Sequence, residues 1–121
     1  MRFRANPVVI TTDIEKALLH EGLNEDDPYA TRFLWLSNPS DQTRYLQTYR
    51  FISVLFGATC SPFMLNDTIL KHLQHYNITA ATFMERDFYV DNMLTSLQNE
   101  DEANTYYKEA RAMLKKAGFN L

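Results

Sequence analysis

The sequence predicts an α+β fold, an antiparallel sheet with helices packed on one face. Three observations carry this. The β-branched and aromatic runs do not alternate strictly with helical segments, which argues against a parallel doubly wound sheet. Two segments in the second half repeat apolar residues at helical spacing. Two β-prone runs, Phe88-Tyr89-Val90 and Met93-Leu94-Thr95, are separated only by Asp91 and Asn92, which predicts a tight hairpin.

Taken in order, residues 7–13 (PVVITTD) are β-branched and follow a proline, so they read as a strand apolar on both faces and hence central. Residues 15–23 suit a short helical turn ending at Gly22, and residues 24–29 (NEDDPY) an acidic turn. Residues 31–36 (TRFLWL) and 45–55 read as the next two strands, joined by the turn-prone NPSDQ. Ser61-Pro62 predicts a helix start with Ser61 as the cap. Its apolar stripe would run through Phe63, Asn66, Ile69, Leu70, Leu73 and Tyr76. The last helix is the best marked. Asn99 caps it, Glu102 lies three residues on, and Glu100 and Asp101 suit the positive end. Ala103, Tyr106 or Tyr107, Ala110, Met113 or Leu114, and Ala117 form its stripe, and Lys115, Lys116 and Gly118 end it.

The chain has 121 residues, 45% hydrophobic and 22% charged, with 8 Phe, 7 Tyr and 1 Trp to fill a core. These proportions fit one folded domain rather than a disordered segment. The net charge of −3 disfavours tight nucleic-acid binding by the isolated chain, because phosphate neutralisation supplies most of that affinity. The single cysteine, Cys60, excludes an intrachain disulfide and any multi-Cys zinc site, and reads as a small buried hydrophobe. No run approaches a signal peptide core or a membrane span, so a soluble intracellular protein is expected, with no membrane partner.

Asp13 ends the first strand and Asp91 sits at the hairpin tip. If those strands are neighbours, the two carboxylates converge, as hard cations such as Mg²⁺ require. Two such ions about 4 Å apart clamp the attacking and leaving oxygens of a phosphoryl displacement. His72 and His75, three apart on the helix after Ser61, read as a solvated face rather than a metal site.

The words around these acids add more. VVITTDIEKA, residues 8–17, resembles motif A of reverse transcriptases. FGATCSPF, residues 56–63, resembles motif B, FYVDN at 88–92 the motif C hairpin, and residues 107–121 motif D. All four stand in order across essentially the whole chain, and their wording is most similar to LTR retrotransposons of the Bel/Pao type.

The resemblance implies a ferredoxin-like polymerase palm, with residues 1–121 a fragment of a retrotransposon polyprotein lacking most of the fingers, the thumb and RNase H. It implies templated transfer of a nucleotide from a deoxynucleoside triphosphate to a primer 3′-hydroxyl, on an RNA or DNA template. Asp13 and Asp91 would hold two Mg²⁺ ions, with the Ile14 carbonyl and Asn92 as further ligands. Leu18 would stand at the ribose 2′ wall, Gly57 would let backbone approach the nucleotide, and Tyr89 would lie beside the primer end. Lys115 or Lys116 would match the motif D lysine. The chain departs from the family pattern at Asn92, where a second acid is usual, and at Leu18, where an aromatic is usual. The isolated chain is expected to be weak or inactive as an enzyme. The alternative is a non-catalytic transposon remnant acting as a folded protein-interaction module. A ferredoxin-like RNA-binding domain is disfavoured by the acidic pI of about 5.5.

Overall fold

The computed structural model describes residues 5–24, 26 and 31–121. The elements run β1 (Val8–Asp13), α1 (Ala17–His20), β2 (Arg32–Leu36), β3 (Leu46–Arg50), α2 (Ser61–Leu73), α3 (Thr79–Asp87), β4 (Phe88–Tyr89), β5 (Asn92–Leu97) and α4 (Glu100–Lys116). The fold is α+β with antiparallel pairing throughout, a three-stranded sheet in the order β1-β5-β4 and a separate β2-β3 hairpin. The acidic turn expected at 24–29 lies mostly outside the described residues.

The first strand forms where expected but is not central. β1 is an outer strand, paired only with β5, and its residues alternate half-buried and exposed. A β-branched run looks alike whether one face or two are covered, and Thr11 and Thr12 tolerate either. β5 takes the middle because it pairs with β4 through the hairpin and with β1 along its whole length. The inward residues pair in register, Ile10 with Thr95, and Thr12 and Phe88 with Met93. The outward face leaves Val9 and Leu94 exposed.

α3 and α4 both lie against this sheet, and α2 packs on α1 and α3. Leu65, Ile69 and Leu73 of α2, Met84 of α3, and Tyr106, Ala110, Met113 and Leu114 of α4 close one core with Ile14 and Met93. α2 and α4 also meet directly, His72 Nε2 lying 2.7 Å from the Met113 carbonyl oxygen.

Local chemistry explains α4 in full. The Asn99 side chain accepts from the Glu102 amide at 2.9 Å, acids fill the first turn, and lysines end the last. Gly118 is left-handed at φ 87°, and the Phe119 amide donates back to Leu114 as Phe119 drops into the core.

Four other details differ from expectation. Ser61 does not cap α2. Cys60 is the N-cap residue without a side-chain bond, while the buried Ser61 hydroxyl donates to the Leu55 carbonyl and pins the preceding loop. The buried stripe of α2 is Ser61, Leu65, Ile69 and Leu73, leaving Phe63 72% exposed, since residues two apart face different sides of a helix. α3 has weak sequence signals because its buried face is made of Ala80, Ala81 and Met84. The third strand is only Leu46–Arg50, and the β2–β3 hairpin leaves side chains exposed on both faces, with Phe33 stacked on Tyr49.

No helix among the described residues is long and apolar enough to cross a membrane. Tyr106, 4% exposed, lies with its hydroxyl 3.4 Å from Asp87 Oδ2. Burial first, and the Asp87 charge second, push its pKa above the ordinary value of 10.0. The folded chain therefore holds this proton after the unfolded chain has released it. The contribution is complete below the unfolded value and is lost as pH rises beyond it. Chemical denaturation between pH 8 and 11 is expected to show stability falling above about pH 10. Tyr106→Phe should flatten that decline.

Candidate active site

The pairing of β1 with β5 assembles the site. Asp13 stands opposite Asn92 in register, and just past the strand the Ile14 amide donates to the Asp91 carbonyl at 2.8 Å. The corner after β1 is thereby held against the hairpin turn. Both acids line one cavity of about 400 Å³, together with Ile14, Lys16, Leu18 and Gly57. A larger cavity of about 480 Å³ between β5 and α3 holds Glu102 as its one carboxylate and lacks such a pair.

The turn itself differs from expectation by one residue. Tyr89 pairs with Asn92, so the two turn residues are Val90 and Asp91. Val90 is left-handed at φ 59°, a region costly for a β-branched residue. The three-strand register decides this. Met93 must point into the core opposite Thr12, which places Asn92 in the strand rather than in the turn. Lys16, at φ 50°, and Gly57, at φ 80°, are left-handed as well. Of the four such residues among those described, three border this cavity. Such strain costs about 1–2 kcal/mol per non-glycine residue and persists where the surrounding structure imposes it.

The expected site residues divide into two groups. Asp13, Ile14, Leu18, Gly57 and Asp91 meet at the cavity. Asp13 is exposed and Asp91 half-buried, whereas Ile14 and Leu18 are buried in the core at 2% and 8% exposure. Tyr89 and Asn92 do not line it. Both lie on the sheet face away from the helices, in a cross-strand row with Asp13, and Tyr89 is 76% exposed. Asn92 reaches the site through Asp91, its Nδ2 donating to Asp91 Oδ1 at 2.9 Å.

Lys115 and Lys116 do not line the cavity, and the Lys116 ammonium lies 5.6 Å from the Tyr76 ring centre. Cys60 is exposed rather than buried, because the loop before α2 keeps Ser61 inside and turns its neighbour out. His72 is half-buried against α4 rather than solvated, and His75 Nδ1 lies 2.8 Å from the Lys71 carbonyl oxygen.

Among the described residues no three of His, Cys, Asp and Glu come together as a metal-binding group. Mg²⁺ does not need one. It is commonly bound through one or two carboxylates, with water and substrate phosphates completing its shell, and Asp13 and Asp91 suit that donor set. Sequence reasoning left Lys16, Phe56 and Val90 without a role, although all three line the cavity. Phe56 is 70% exposed beside Gly57. No protein-family model matches the chain, and no curated protein matches it.

A Cβ built on Gly57 meets nothing within 4 Å, and the same holds at Gly22, which is not left-handed. Gly57→Ala is therefore expected to cost about 1–2 kcal/mol in urea denaturation through backbone strain alone. Gly22→Ala should be neutral or stabilising by up to about 1 kcal/mol.

Proposed function

We propose that this chain is the palm of an RNA-directed DNA polymerase, carried in a retrotransposon polyprotein of the Bel/Pao type. The observation that carries the proposal is the main-chain bond from Ile14 to Asp91, which brings two carboxylates remote in sequence to one cavity. The four motif-like segments supply the choice of reaction. The primer 3′-oxygen attacks the α-phosphorus of the incoming nucleotide, and the bond to pyrophosphate breaks.

In this reading Asp13 and Asp91 hold two Mg²⁺ ions. Held by these carboxylates, two such ions would supply Lewis-acid activation of the 3′-hydroxyl and offset charge on the leaving pyrophosphate. The chain supplies the rest. The β1–β5 pairing keeps the carboxylates on one wall, and Leu18 closes the side of the cavity assigned to the sugar. The open space at Gly57 admits the nucleotide without a side chain in the way. Template and primer need the basic walls of a complete enzyme, which an acidic palm does not provide.

A second reading, a folded non-catalytic module that contacts other proteins, draws on the β2–β3 hairpin. Leu34, Trp35 and Leu46 are each more than half exposed there. It makes Trp35→Ser disruptive to complex formation and substitutions at Asp13 and Asp91 neutral.

The test is thermal unfolding of the chain with and without Mg²⁺, followed by primer extension on RNA by a polymerase containing this segment. Mg²⁺ at one hundred times its dissociation constant should stabilise the parent by about 2.7 kcal/mol. Asp13→Asn and Asp91→Asn should remove that gain and slow incorporation on the order of 10³-fold or more, since metal charge stabilisation supplies several kcal/mol. Unchanged Mg²⁺ response and unchanged extension in both variants would overturn the proposal.

A further inference from the structure

Among the described residues that border the carboxylate cavity, Lys16 is the only cation. It lines the same cavity as Asp13 and Asp91, yet among the described residues it forms an ion pair with neither. It also occupies a left-handed conformation, φ 50°, that asparagine or glycine would adopt at less cost. A basic side chain is thus held at a strained corner of a cavity whose two acidic side chains do not pair with it.

We infer that Lys16 is a phosphate-contacting residue, its ammonium meeting the polyphosphate of a metal-chelated nucleoside triphosphate. The inference rests on the proposed function and names the group that receives the substrate's charge. Charge balance favours it. A nucleoside triphosphate brings about four negative charges, which two divalent ions match, while the two carboxylates that hold those ions remain to repel it. One ammonium at the cavity edge halves that residual repulsion. Lysine serves this purpose as a compact point charge on a flexible stem. Because Lys16 is exposed, its contribution should shrink as salt rises.

The test uses the chain itself, with Mg²⁺ alone, inorganic tripolyphosphate with Mg²⁺, and a deoxynucleoside triphosphate with Mg²⁺, by calorimetric titration at low salt. Lys16→Asn removes the charge while suiting the left-handed backbone, so its melting temperature should match or exceed the parent's. It should bind both polyphosphates about tenfold more weakly, as loss of one charge-assisted contact implies, with Mg²⁺ affinity equal to or above the parent's. Lys16→Arg should stay within about twofold of the parent. If Lys16→Asn binds both polyphosphates as the parent does while Asp91→Asn loses Mg²⁺, this inference is overturned and the proposed site stands. If the parent binds no Mg²⁺, or Asp91→Asn binds it equally well, the proposed site falls and this inference with it.

Discussion

The antiparallel pairing of β1 with β5 is the constraint from which the rest of the site follows. It puts Asp13 opposite Asn92 and, one residue on, lets the Ile14 amide reach the Asp91 carbonyl. That last bond lies beyond the strand, where the chain must already turn towards α1. The turn is made at Lys16, and the amide of Leu19 then closes on the Lys16 carbonyl. On the other side, the same pairing fixes the parity of β5. Met93 is buried, Asn92 is outward, and Val90 with Asp91 is left to make a two-residue turn with a β-branched residue in a left-handed conformation. A one-residue slip would relieve Val90 and turn every core residue of β5 towards solvent. Burial of Met93 against Thr12, Phe88 and Tyr106 outweighs one strained dihedral pair.

The division of labour between the two faces of the sheet follows from this. The helix side is a largely apolar core; Tyr106 meets Asp87 at the end of α3, where Arg86 also reaches the carboxylate, and the buried Glu21 accepts from the Thr68 hydroxyl of α2. The opposite side carries Asp13, Asn92 and Tyr89 in one row across three strands. A carboxylate on the core side would have to be desolvated at a cost of several kcal/mol. On the open side it keeps water and stays available to cations. At the edge where β1 ends the fold presents Asp13 and Asp91 to one cavity.

How much of this was legible in the sequence depends on how many local signals agreed. α4 was readable to its ends because cap, dipole charges, apolar stripe and terminal glycine all indicate the same helix. α3 was not, because alanines form most of its buried face and give little periodic contrast. The existence of β1 was legible, its place in the sheet was not, since strand order is set by partners distant in sequence. The hairpin turn was assigned to Asp91 and Asn92 by turn preference. Pairing with Asp13 and Tyr89 overrode that preference and drew Asn92 into β5. Within the site, the acids were singled out from their places at a strand end and a hairpin tip, and Leu18 and Gly57 through resemblance to motifs. Lys16 and Val90 were not singled out, because a left-handed conformation at Lys or Val has no composition signal.

The row on the open face also gives Asn92 a physical role distinct from that of a second acid. A carboxylate there would stand next to Asp91 and opposite Asp13, and three like charges on adjacent strands repel. The amide removes one of those charges and turns a repulsive neighbour into a donor, its Nδ2 holding Asp91 Oδ1 at 2.9 Å. A carboxylate oxygen that accepts one hydrogen bond still has lone pairs for a cation, so the contact orients Asp91 without occupying it. In the proposed reading the consequence is a trade. The metal-free chain is relieved of a charge cluster at the end of β1, and the ions are bound through two carboxylates, so Lys16 faces a less negative wall than three acids would have made.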